Sequence, residues 1–127
     1  MDGTRTTADV QLMVCVTCRS AVADAPADPF ARDGERLLTA LRAADLPENI
    51  RIMPVECLSN CTRGCTVALR GPGRWSYVYG NLDAGMAEVV LDGAVRYAAT
   101  SDGLVPWRER PEHFRKNCIA RLPPLGG

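Results

Sequence analysis

Six cysteines in 127 residues constrain this chain more than any other feature. Four form two short pairs, Cys15-Val-Thr-Cys18 and Cys57-Leu-Ser-Asn-Cys61. Cys65 extends the second series at the same spacing, and Cys118 stands apart near the C-terminus. Paired thiols separated by about 40 positions can act together only if the fold returns both pairs to one place. The apolar stretch Val10 to Val16 is too short for a secretory core, and no small-residue cleavage site follows it. A cytoplasmic protein is therefore expected. Thiols stay reduced there, so clustered cysteines point to metal or redox chemistry rather than structural disulfides.

Composition removes several function classes. Fifteen basic residues balance fifteen acidic ones, which argues against general nucleic-acid binding. Apolar residues at 46% and charged residues at 24% fit a folded domain rather than a disordered chain. No apolar run approaches the roughly 20 residues of a membrane span. The chain is also far short of the about 200 residues that a TIM barrel needs. No P-loop, G-x-G-x-x-G or nucleophile motif is present. Fourteen Arg against one Lys, with abundant Ala, suggest a GC-rich bacterial genome.

Hydrophobic patterning predicts one α/β domain. Residues 1–9 read as a flexible polar tail, and Val10 to Val16 as a buried strand. The stretch from Arg19 to Asp33, with Pro26 and Pro29, reads as a loop. Asp33 can open a helix to Ala44, with Leu37, Leu38 and Leu41 on its apolar face. Ile50 to Glu56 reads as a second strand, and Pro54 places it at a sheet edge or a bulge, since proline cannot donate to a central ladder. Thr66 to Leu69 and Trp75 to Tyr79 flank Arg70-Gly71-Pro72-Gly73-Arg74, a hairpin turn. Asn81 or Asp83 then caps a second helix to about Ala99. The order β-α-β-β-β-α matches a thioredoxin-like plan: a mixed four-stranded sheet with two main helices. Residues 10–101 would form the domain, and 102–127 an irregular extension packed on it.

On this plan the C-terminal ends of the first two strands share one sheet edge, where open α/β sheets place ligands. Cys15 and Cys18 would then face Cys57 and Cys61. Four soft thiolates select zinc or an iron–sulfur cluster over magnesium or calcium. The C-x3-C spacing is less usual for zinc knuckles, and the single histidine, His113, excludes a two-histidine Rieske centre. His113 reads as solvated or structural. Cys65 either leads into the next strand or joins the site, and Cys118 reads as small apolar filler.

Cys57-Leu-Ser-Asn-Cys61-Thr-Arg-Gly64, followed by Gly73-Arg74-Trp75 and Tyr77, resembles the C-L-G-x-C-x-x-G-P…W-Y signature of thioredoxin-like 2Fe–2S ferredoxins. That fold also occurs in the small cluster-bearing subunit of bacterial NADH dehydrogenases. More closely, the chain resembles small bacterial proteins of unknown function described as predicted metal-binding. The shared segments are Cys15-Val-Thr-Cys18, Cys57-Leu-Ser-Asn-Cys61 and Gly103-Leu-Val-Pro-Trp-Arg-Glu-Arg-Pro111. The ferredoxin resemblance implies that Cys15 and Cys18 hold one iron, and Cys57 and Cys61 the other. Three features depart from it. The first pair is more closely spaced, Ser59 replaces a glycine, and Cys65 stands where the signature has proline. Cys65 is therefore a candidate fifth or substitute ligand.

The expected function is one-electron transfer by a 2Fe–2S cluster, without catalysis, to or from a redox partner protein. The alternatives are a zinc-stabilised protein-binding module, a metal- or cluster-handling protein, and a thiol–disulfide enzyme. The last would leave Cys57 and Cys61 idle. No nucleic-acid or membrane partner is expected, and the ferredoxin resemblance brings in a homodimer as one assembly. Arg63, Arg70 and Arg74, with no acidic residue between Cys57 and Asp83, would raise the cluster potential and face an acidic partner. Trp75, Tyr77 and Tyr79 share one strand face and read as core. The extension would wrap the domain through Trp107 and Phe114, or dock a partner.

Overall fold

The computed structural model describes residues 10–16, 33–56, 58 and 64–124. The expected N-terminal tail and the loop from Arg19 lie outside this set, apart from Asp33 at the loop's end. Five strands form one mixed sheet: β1 (Val10–Cys15), β2 (Ile50–Val55), β3 (Val67–Arg70), β4 (Ser76–Tyr79) and β5 (Cys118–Leu122), in the order β2-β1-β3-β4-β5. β1 and β2 are parallel; every other pairing is antiparallel.

Helix α1 (Asp33–Arg42) supplies the crossover between the two parallel strands. It buries Leu37, Leu38 and Leu41, the three leucines at helical spacing. Helix α2 (Ala87–Ala98) buries Val90, Gly93, Ala94, Tyr97 and Ala98. A 3₁₀ turn at Ala84–Met86 precedes it, and the Asp83 side chain caps that turn by accepting from the Gly85 N–H at 2.8 Å. Both helices touch β2 and each other, so they cover one sheet face. On β1 that face carries Val10, Leu12 and Val14, all fully buried, while Gln11 and Met13 on the opposite face are half-buried. This alternation is the period-2 signature of a sheet covered on one side.

Pro54 sits in β2, an edge strand, opposite Val14. The hairpin turn forms between β3 and β4, with Gly73 at φ +69°, a backbone region open to glycine. The two predicted helices and four predicted strands are present.

The extension corrects the expected irregular tail. It folds into a 3₁₀ turn at Trp107–Glu109, a short helix α3 (Glu112–Lys116) and β5, so the sheet has five strands rather than four. β5 pairs with the otherwise open edge of β4, with a register shift at Val78/Tyr79. The physical reason is the unpaired row of N–H and C=O groups that a four-stranded sheet would leave on β4. Phe114 of α3 is buried and stacks on Tyr79 with ring centroids 3.8 Å apart. Trp107, expected to wrap inward, is 59% exposed. Arg110 lies between Trp107 and Tyr77, over both rings. Tyr77 and Tyr79 are core residues, stacked on each other, while Trp75 is half-buried.

Candidate metal centre

Three chain segments that lead to cysteines converge at one end of the sheet. Cys15 is the last residue of β1 and pairs in register with Val55, the last residue of β2. Its Sγ donates to the Glu56 carbonyl at 3.7 Å, and the Val16 N–H donates to Val55 O at 2.9 Å. On the other side of β1, the Cys15 N–H donates to Thr66 O at 3.1 Å, beside Cys65. The stretch entering the Cys57–Cys61 motif, the stretch leaving it, and the start of the Cys15–Cys18 pair are therefore hydrogen-bonded together. This is the shared sheet edge that the βαβ reading requires.

Each of these segments is fixed from behind. Gly34, in the first turn of α1, lies so close to β1 that a Cβ there would come within 2.0 Å of the Cys15 carbonyl oxygen. Glycine has poor helix propensity, so its presence in a helical first turn is itself a sequence signal of close approach. Leu58, from within the Cys57–Cys61 motif, packs half-buried against the core. Cys65 is held by two reciprocal backbone bonds, from its N–H to Leu82 O at 2.8 Å and from the Leu82 N–H to its own carbonyl at 3.1 Å. Leu82 is fully buried.

Of the predicted ligands, Cys15 is placed at this edge and fully buried. Cys18, Cys57 and Cys61 lie outside the described residues. Cys65, the candidate fifth ligand, is also fully buried and packs within the hydrophobic core. Among the described residues, no three His, Cys, Asp or Glu side chains gather closely enough to hold a metal. Cys118 departs from the filler reading, because it is exposed on the outermost strand. Its thiol is pushed up by partial burial, against a downward pull from Arg110. His113 has the structural role expected of it: Nε2 lies 3.0 Å from Gly80 O.

The electrostatic expectation is corrected in part. Arg70 pairs in register with Gln11, four residues before Cys15, which puts it about 13 Å along the strand from the cysteine edge. Arg74 is buried beyond the hairpin turn, donating to Thr100 O at 3.0 Å and Ala98 O at 3.3 Å. Neither guanidinium belongs to the cysteine edge, because the antiparallel β3 carries Arg70 away from it. Arg63 lies outside the described residues.

A family model described as a protein of unknown function, DUF1636, matches residues 12–124. The chain belongs to the DUF1636 family. No curated protein sequence matches it significantly. Among solved structures, a thioredoxin-like [2Fe-2S] ferredoxin from Aquifex aeolicus aligns with a TM-score of 0.50 at 16% identity, over 94% of this chain and 97% of that one. The wild-type form of such a ferredoxin from the same organism, solved at 1.5 Å, aligns with a TM-score of 0.51 at 15% identity, over 88% and 97%. At this identity the likeness shows the fold of this DUF1636 protein: mixed α/β, on the plan of the thioredoxin-like ferredoxins. Among its described residues, no helix is long and apolar enough to cross a membrane.

Proposed function

We propose that this DUF1636 protein binds a 2Fe–2S cluster through Cys15, Cys18, Cys57 and Cys61 and serves as a one-electron carrier rather than a catalyst. The observation that supports this reading most is the hydrogen-bonded meeting of the ends of β1 and β2 with the start of β3. It brings Cys15, the residues that precede Cys57 and the residue that follows Cys65 to one sheet edge. The donor set fits such a centre, since it is entirely thiol and the one histidine is engaged elsewhere. The thioredoxin-like ferredoxins that share the fold are 2Fe–2S proteins by description, which favours iron–sulfur over zinc.

The chain's own contribution is rigidity. Cys15 is fixed by its pairing with Val55 on one side, by the bond from its N–H to Thr66 O on the other, and by the first turn of α1 beneath it. A ligand held by regular secondary structure moves little between oxidation states, which keeps reorganisation small. When Cys15 ligates as thiolate, it loses the proton that it shares with Glu56 O, and that carbonyl must take another donor. The bound cluster would supply a single-electron acceptor with a potential set by hydrogen bonding and solvent exposure. Cys65, one residue from the Thr66 carbonyl that receives the Cys15 N–H, is a substitute ligand in this reading. A cytoplasmic redox protein is the proposed partner.

The test is absorption spectroscopy and metal analysis of protein purified without oxygen. The expected result is broad bands between about 320 and 550 nm that bleach with dithionite, with two irons per chain. Cys57→Ala and Cys18→Ala should each remove the bands. A colourless protein holding one zinc per chain would replace this reading with a zinc-stabilised binding module. Bands that persist in both variants would overturn the ligand assignment.

A further inference from the structure

The end of the sheet opposite the cysteines carries a second, unrelated arrangement. Gln11 of β1 pairs with Arg70 of β3, and Ser76 of β4 stands one residue beyond the last β3–β4 pair, Leu69–Tyr77. These three side chains share the face that the helices do not cover, and with Arg74 they line a groove of about 560 Å³. Arg70 is exposed, and its Nε donates to Gln11 Oε1 at 2.7 Å, which holds the guanidinium in place and leaves its terminal nitrogens to the groove.

Arg74 is the unusual member. It is only 8% exposed, yet its hydrogen bonds are to two backbone carbonyls, from Nε to Thr100 O and from Nη2 to Ala98 O. These carbonyls belong to the C-terminal end of α2, whose partial negative charge offsets only part of a full positive charge. Among the described residues, neither Arg70 nor Arg74 has a carboxylate partner; the ion pairs there are Arg36–Asp33, Arg96–Asp92 and Lys116–Glu112. Among the described residues that line the groove, none is acidic. A buried, incompletely compensated guanidinium is costly for a fold to keep. Its remaining nitrogen, Nη1, lies beside Gly71, where an added Cβ would approach it to 3.1 Å.

We propose that this groove is a binding site for the phosphate group of a small phosphorylated molecule. The exposed Arg70 guanidinium and the buried Arg74 charge, neither with a carboxylate partner among the described residues, together match a dianion better than a monoanion, and guanidinium groups bind phosphate through paired N–H donors. The Ser76 hydroxyl offers a third donor, from the neighbouring strand. Pro72, Pro123 and Pro124 form apolar walls, and the groove is larger than a bare phosphate requires, so it also accommodates an organic body. The site is separate from the cysteine edge and does not depend on what that edge holds.

The experiment is an NMR titration of the full-length, as-purified protein at low ionic strength. Inorganic phosphate, phenyl phosphate and benzoate are the probes. Saturable shifts centred on the Gly71, Gly73 and Ser76 amides are expected. Phenyl phosphate should bind at least tenfold more tightly than inorganic phosphate or benzoate. Arg70→Gln, an exposed change, should leave the far-UV circular dichroism unaltered and weaken phenyl phosphate at least tenfold, while Arg70→Lys recovers part of the loss. Arg74→Gln would also remove bonds that hold α2, so the Arg70 pair is the clean comparison. Absence of saturable shifts, shifts centred elsewhere, unchanged affinity in Arg70→Gln, or equal affinity for benzoate would each overturn the assignment.

Discussion

The two ends of the sheet are built on opposite principles. At the cysteine end, backbone-to-backbone bonds join three strands, and Cys15 and Cys65 are buried behind them. At the hairpin end, side chains do the work: Arg70 reaches Gln11, Arg74 reaches the end of α2, and a groove stays open between them. Charge separates them as well. Arg70 and Arg74, read as neighbours of the cysteines in sequence, belong to the far end in space. Nearness in sequence is a poor guide to electrostatics once a strand intervenes, because each residue of a strand carries the chain about 3.3 Å further on.

That contrast can be broken from either side. The largest effect is expected from Phe114→Ala, which removes a buried ring stacked on Tyr79 and leaves a cavity against Gly93 of α2. A loss of about 3–5 kcal/mol is expected in denaturant unfolding. It falls on the extension, so the visible spectrum of any folded, loaded protein should be unchanged. A spectrum that collapsed with the extension would show that the two ends are not independent.

Gly34→Ala is expected to act at the other end. Its methyl would meet backbone rather than a movable side chain, so α1 or the end of β1 must shift. Overpacking of this kind costs about 1–3 kcal/mol. Cluster occupancy, read as absorbance per protein, should fall by more than the loss of folded protein explains. If occupancy simply tracked stability, the Gly34 contact would be a packing feature only.

Asn117→Ala removes the 2.8 Å bond from Asn81 Nδ2 to Asn117 Oδ1, and with it the tie between the extension and the residue before Leu82. A loss of about 1 kcal/mol is expected by chemical denaturation. The smallest mutational effect belongs to Arg70→Gln, whose exposed guanidinium should matter little for stability, within about 0.5 kcal/mol.

Alkaline pH gives a further test of the aromatic cluster. Burial pushes the Tyr97 hydroxyl up to about 12 and raises Tyr79 further still. The folded state therefore holds protons that the unfolded chain releases above about pH 10. Stability should be level below that pH and fall as pH rises towards 12. Tyr97→Phe should flatten the decline. An unaltered profile in that variant would place the sensitivity elsewhere.

Much of the fold was legible from residue pattern. Leu37, Leu38 and Leu41 marked α1, the run from Val10 marked β1, and Pro54 marked an edge strand. The turn around Gly71 and Gly73 marked the hairpin. These signals are local, since period and backbone restriction are properties of a few adjacent residues. The extension was not legible. Its helix has five residues, too few to display a 3.6-residue period, and β5 has mostly exposed side chains, so no alternation announces it. β5 exists because β4 offers an edge, and that is a property of the assembled sheet.

The candidate centre divides the same way. By itself, the sequence determined the donor set: paired thiols, no second histidine, and a segment from Cys57 to Gly64 that resembles the ferredoxin signature. Only the tertiary structure decided that Cys15 lies against the neighbours of both Cys57 and Cys65, and that Arg70 and Arg74 lie at the other end. Ligand type is written in side-chain identity, residue by residue. Which residues meet is decided by strand order, register and the close approach of Gly34 to Cys15, where backbone atoms far apart in the chain must satisfy one another's hydrogen bonds at once.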